Sequence, residues 1–130
     1  TLDDHLKLFD WDLSTREYLP FEDEYFDVVT MLAVFEHVEP SKIGALVSEV
    51  RRILKLRGIF VLTIPVWWTD RILKILAKVH LISAVGVMDH KDTYSPKKIK
   101  TIMAMSGFEI SKIQTGYFEV FLNIWIKAIK

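Results

Sequence analysis

Tyr18-Leu-Pro-Phe-Glu-Asp-Glu-Tyr-Phe-Asp-Val-Val-Thr-Met-Leu-Ala-Val-Phe-Glu-His37 is the stretch on which the fold turns. It opens as an acidic turn around Pro20, becomes apolar from Phe26 to Val34 with only Asp27 and Thr30 polar, and ends on Glu36-His37. A near-continuous apolar run of this length is the mark of a buried strand in a parallel sheet. Ligands of open parallel sheets sit just beyond the carboxyl ends of the strands. Leu32 to His37 therefore occupy the rim where a site is expected.

The residues downstream extend the pattern. Pro40 suits a first helical turn, where its missing N–H would be unpaired anyway. Ile43, Leu46, Val47, Val50, Ile53 and Leu54 then recur at three- and four-residue spacing and form one apolar stripe. Lys55 and Arg57 suit the negative end of the helix dipole, and Gly58 is expected to take a left-handed C-cap. Ile59 to Ile64, closed by Pro65, reads as a second buried strand. Strand, helix and strand at this spacing form a βαβ unit, so the two strands are expected to be parallel.

Upstream, Leu6 to Phe9 is a short alternation read as a strand, and Ser14 to Glu24 is a loop. Further on, Thr69 and Asp70 can cap a helix with an apolar face of Ile72, Leu73, Leu76 and Val79. Ser95-Pro96 is an N-cap and first-turn pair. It opens a helix that carries Ile99, Ile102 and Met103 and ends at Gly107. Phe108 to Gln114 and Tyr117 to Ile129 read as strands joined by a tight turn at Thr115-Gly116. Apolar residues on both faces of the last strand point to a position inside the sheet with both faces covered. The fold class is α/β, ending in an antiparallel β-hairpin.

Composition narrows the function classes. The 130 residues form one small domain, half apolar and a quarter charged, with 17 basic residues balanced by 17 acidic ones. That balance offers no basic surface for nucleic acid. No cysteine is present, which excludes disulfides, thiolate metal sites and a cysteine nucleophile, and is compatible with a reducing cytoplasm. No apolar run reaches the roughly 18 to 20 residues that span a bilayer. Thr1-Leu-Asp-Asp-His5 has neither a secretory signal nor an initiator Met, so the chain is expected to start part-way through something longer.

Leu19-Pro-Phe-Glu-Asp-Glu-Tyr-Phe-Asp-Val-Val29, Glu36-His37-Val38, Arg52-Ile-Leu-Lys55 and Gly58-Ile-Phe-Val-Leu-Thr-Ile-Pro65, in that order and spacing, resemble the class I S-adenosylmethionine-dependent methyltransferases. The likeness is to the small-molecule branch with an LPF.D..FD…EH signature, and it runs from about Leu6 to the C-terminus. Ser106-Gly107-Phe108 and the terminal hairpin also look like that family's end. The resemblance implies a Rossmann-like sheet of which this chain carries one partial domain over residues 1–130, from the third strand onward. Leu6 to Phe9 would be the third strand, Phe26 to Leu32 the fourth and Ile59 to Ile64 the fifth.

The resemblance further implies S-adenosylmethionine as cofactor and a small or lipid-like acceptor. Asp12 sits where the family places an acid for the adenine amino group, with Leu13 packing nearby. The backbone of Leu32 and Ala33 would approach the methionine part, with His37 at the same rim. Asp12 also reads as a solvated loop residue beside Asp10, and His37 as a packing residue. His37 is the one candidate for a catalytic base. No metal is expected, because Ala33 stands where metal-binding members often carry an acid and Glu22, Asp23 and Glu24 form a solvated turn. Trp67, Trp68, His90 and Tyr94 lie where the family builds its substrate cover, or plug a lid helix onto the sheet.

Two departures accompany the match. The family grips its cofactor with a Gly-rich turn and an acid about 20 residues later. The glycines here form no G-x-G and none precedes Asp12, so cofactor binding by this chain is expected to be deficient. The alternative is a non-catalytic module that serves as a partner or structural unit. Leu56-Arg57-Gly58 also stands where the family usually has Pro-Gly-Gly. Without the family's first strand, Phe26 to Leu32 would be an open apolar edge. That edge is expected to be covered by the chain's own N-terminal segment or by a homodimer.

Overall fold

The computed structural model describes residues 6–13, 15–16, 18–65, 94–118 and 123–130. The expected helix over Ile72 to Val79, together with Trp67, Trp68 and His90, lies outside the described residues.

Helix α1, Pro40–Ile53, forms as the spacing predicts. Ile43, Leu46, Val47, Val50 and Ile53 are all buried, while Lys42 and Ser48 face solvent. Its C-terminus departs from expectation. The helix stops at Ile53, and Leu54 is already extended at the start of β2, Leu54–Pro65. Gly58 is not the left-handed residue; Arg57 is, with φ of 65°. The parallel register between β2 and β1, Phe26–Leu32, jumps from Phe26↔Leu54 to Val28↔Ile59. Residues 55–58 bulge out to absorb that jump, and Arg57 makes the reversal.

Helix α2, Pro96–Met105, starts where Ser95 Oγ accepts the Lys98 N–H at 3.2 Å. It buries Ile99 and Met103 and ends at Gly107, whose φ of 96° suits a glycine C′ position. The hairpin strands are β3, Ile113–Phe118, and β4, Asn123–Ile129. The turn is not at Thr115-Gly116, which lie inside β3 opposite Ile126 and Trp125. Phe118 pairs with Asn123, so the connection is 119–122. Gly116 is there for space: a Cβ would come within 2.4 Å of Trp125 Nε1. The segment before β3 is not strand either, since Ile110–Lys112 is a single 3-10 turn.

The strand order is β1-β2-β4-β3, with β1 parallel to β2 and the β2–β4 and β4–β3 pairs antiparallel. The expected parallel unit and the internal place of the last strand are both present. One sheet face carries the core, where Met31, Phe60, Leu62, Ile64, Ile124, Ile126 and Ala128 are buried with the stripes of α1 and α2. Each large apolar side chain sealed this way contributes about 1.5–3 kcal/mol. On the other face of β4, Trp125, Lys127 and Ile129 are half-buried, so the cover there is partial.

Strand β1 departs most from its apolar sequence. Only Met31 is buried, and Val28 and Leu32 are 51% and 58% exposed. Its outer side is the edge of the sheet among the described residues. Leu6 to Phe9 is not a strand but irregular and exposed, although Phe9 packs edge-on against Phe21 at 5.1 Å. Four alternating residues hold a strand only where a neighbouring strand takes their hydrogen bonds.

Candidate functional site

The carboxyl end of β1 is held in an unusual backbone shape. Ala33 follows Leu32 with φ of 52°, the left-handed region that L-residues enter at a cost. Its N–H is shared between the carbonyl oxygen and Oγ1 of Thr63 on β2, each at 3.2 Å. The chain then turns through a 3-10 element, Phe35–His37. Phe35 is fully buried and meets the Tyr94 ring edge-on at 5.3 Å, which nails the turn to the core. Glu36 is carried inward and is 3% exposed, while the His37 side chain stays 40% exposed.

The two side chains are neighbours: Glu36 Oε1 lies 3.9 Å from His37 Nε2. The other carboxylate oxygen, Oε2, is buried and has no hydrogen-bond partner among the described residues. A buried carboxylate with an open oxygen is costly and concentrates negative potential beside the imidazole.

His37 opens onto a cleft of about 320 Å³, whose walls include Trp11, Asp12 and Leu13 on one side and Val34, Val38 and Lys42 on the other. A second hollow of about 500 Å³ continues from it, sharing Leu13, Val38 and Lys42, and runs between residues 15–19 and α1. The wall around Trp11 is ordered locally. The Trp11 indole donates to the Tyr18 carbonyl at 3.1 Å, and the Arg16 guanidinium lies 4.1 Å over the Trp11 ring. The Arg16 N–H reaches the Asp12 carbonyl at 3.2 Å.

The loop is tied to α1 through two neighbouring residues of the helix, Glu49 and Arg52. Glu49 Oε2 accepts the Leu19 N–H at 2.9 Å and pairs with Arg52 Nη2 at 2.8 Å. The Arg52 hydrogen bond, helped by the Leu19 N–H, holds the Glu49 carboxyl below its ordinary value, against the opposing effect of burial. Asp23 accepts from Arg52 at 2.7 Å, and Glu24 lies 3.7 Å from Lys130, so two of the acidic-turn residues pair rather than simply face water. Among the described residues no group of three His, Cys, Asp or Glu side chains is arranged to hold a metal ion.

The expected site residues therefore divide. Asp12, Leu13 and His37 share one cleft. Leu32 and Ala33 form the strand end beside it, with Leu32 exposed. Tyr94 is 3% exposed and packs in the core. Trp11, Val34, Val38 and Lys42 also line the cleft and carry no motif that singles them out; the aromatic beside Asp12 is the one available cue. An adenine-sized group would meet apolar walls at Leu13, Val34 and Val38 and an acceptor at Asp12. The residues present thus fit one end of S-adenosylmethionine, and among the described residues no glycine lines the cleft.

A methyltransferase-domain family model matches residues 3–62, somewhat under half of the chain. No curated protein matches. Solved structures do. A Thermotoga maritima S-adenosylmethionine-dependent methyltransferase, described as a possible histamine N-methyltransferase, superposes with a TM-score of 0.64 at 21% identity, over 88% of this chain and 60% of that one. A methyltransferase of the same cofactor class from Archaeoglobus fulgidus gives 0.62 at 18% identity, over 85% and 62%. One from Methanosarcina mazei gives 0.60 at 21% identity, over 88% and 63%. The chain spans about three-fifths of the length of these structures. It has the Rossmann-like fold of the class I S-adenosylmethionine-dependent methyltransferases, and its N-terminal part matches their domain model.

Proposed function

We propose that this chain supplies the adenine-side wall and the acceptor-side rim of an S-adenosylmethionine-dependent methyltransferase acting on a small or lipid-like acceptor in the cytoplasm. The observation that carries the reading is the cleft at the carboxyl end of β1, which brings Asp12, Leu13 and His37 together from segments about 25 residues apart. Asp12 would accept from the adenine amino group and Leu13 would pack on the ring. The backbone of Leu32 and Ala33 would border the methionine part.

When bound, the cofactor supplies a methyl group already activated by its sulfonium. The protein then needs mainly to align donor and acceptor, which is worth several kcal/mol by itself. His37 would take a proton from an acceptor hydroxyl or amine, and Glu36, 3.9 Å from its Nε2, would stabilise the imidazolium so formed. Trp67, Trp68 and His90 belong in this reading to the acceptor side, while Tyr94 packs in the core behind the rim.

A second reading, a non-catalytic partner module, is favoured by two observations: among the described residues no glycine lines the cleft, and β1 presents an open edge. In either reading, the edge is covered by the chain's own N-terminal segment or by a second copy of the chain. Calorimetric titration with S-adenosylhomocysteine separates the two readings. Micromolar binding that weakens at least tenfold in Asp12→Asn supports the methyltransferase reading. No binding at millimolar ligand supports the module.

A further inference from the structure

Arg52 lies at the far end of α1 from the cleft, yet its hydrogen bonds all run to one loop and one carboxylate. A guanidinium has five N–H groups. Here Nε donates to Glu49 Oε1 at 2.9 Å. Nη1 donates to the Phe21 carbonyl at 2.9 Å and to Asp23 at 2.7 Å. Nη2 donates to Glu49 Oε2 at 2.8 Å and to the Leu19 carbonyl at 3.2 Å. Every donor is used. The same helix end also takes the Glu24 and Tyr25 N–H groups on the carbonyls of Arg52 and Ile53, at 3.0 and 2.8 Å.

These contacts leave residues 19–25 one position relative to α1. The next residue back, Tyr18, holds the Trp11 indole through its carbonyl, and Trp11 to Leu13 form the wall opposite His37. A continuous set of hydrogen bonds thus runs from Arg52 through Leu19 and Tyr18 to the cleft.

We propose that Arg52 is a positioning residue: its planar, five-donor grip on Leu19, Phe21, Asp23 and Glu49 sets where the Trp11–Leu13 wall stands across from His37. The consequence for ligand rests on the proposed function; the mechanical part does not. Lysine cannot replace the grip, since its three donors leave a single nitrogen and cannot span two carbonyls and two carboxylates at once.

The test compares Arg52→Gln, Arg52→Lys and Glu49→Gln by amide exchange and by the Trp11 indole proton resonance, assigned with Trp11→Phe. The expected result is at least tenfold faster exchange at Arg16, Leu19, Phe21, Glu24 and Tyr25 in all three variants, and an upfield shift of the indole proton. Amides of β2 and β4 should stay within threefold of the parent. Uniform loss of protection across the sheet, an unmoved indole proton, or full restoration by Arg52→Lys would each overturn the proposal. S-adenosylhomocysteine affinity is read in parallel. A parent chain that does not bind counts against the proposed function and leaves the exchange and indole results to decide the role of Arg52.

Discussion

Gly116→Ala tests the part of the fold that sequence reading placed wrongly. Ala is ordinarily welcome in a strand where Gly stood, because Gly loses more conformational freedom on folding, by roughly 0.5–1 kcal/mol. Here the new Cβ would lie 2.4, 2.7 and 2.8 Å from Nε1, Cε2 and Cζ2 of Trp125 on the neighbouring strand. Those three atoms belong to one rigid bicycle, so no single bond rotation at its tip relieves the overlap. The indole must swing away as a whole or the strands must part. Overpacking of this kind costs typically about 1–3 kcal/mol.

The overlap outweighs the entropy gain, and the net expectation is a loss of about 1–2 kcal/mol. At about 2.1 cal/mol/K per residue, 130 residues give an unfolding entropy near 270 cal/mol/K, so Tm should fall by about 4–7 °C. Thermal melts followed by circular dichroism measure it, with urea unfolding as a second probe. The decisive comparison is a double-mutant cycle with Trp125→Ala. In that background Gly116→Ala should be neutral or stabilising. A rise in Tm for the single variant, or an equal fall in both backgrounds, would refute the clash.

Two further outcomes follow from named residues. Arg57 holds a φ of 65°, where a non-glycine residue is strained by roughly 1–2 kcal/mol. Arg57→Gly should therefore stabilise by about 0.5 kcal/mol after the unfolded-state entropy is offset, and raise Tm by about 2 °C in the same melts. The Glu49 carboxyl is held below its ordinary value of 4.5 by Arg52. A carboxylate with a depressed folded pKa adds stability that is fully present above the unfolded value and lost as pH falls through the folded one. Urea midpoints measured downward from pH 4.5 should fall more steeply for the parent than for Glu49→Gln, and parallel curves would contradict the assignment.

The parts that were legible in sequence are those written locally. The stripe of α1 repeats at helical spacing, Ser95-Pro96 is a cap chemistry confined to adjacent residues, and Ile59 to Ile64 is an apolar run broken only by Thr63. His37 was readable as a residue just past the end of β1, because chain order alone puts it there, whereas Asp12 was singled out by the family resemblance. Their facing one another across a cleft was not, since that depends on how the intervening loop folds back.

The errors share a physical cause. Thr115-Gly116 carries the local chemistry of a turn, but the glycine serves a tryptophan on another strand. Gly58 invites a left-handed reading, but the register jump between β1 and β2 puts the reversal on Arg57. Leu6 to Phe9 alternates like a strand and finds no partner among the described residues.

The sequence by itself determined the α/β order, the core stripes and the end of β1, because periodicity and caps act over a few residues. Only the tertiary structure decided what Arg52 does. Its partners lie about 30 residues away, at Leu19, Phe21 and Asp23. A hydrogen-bonding guanidinium leaves no periodic trace of the carbonyls it selects.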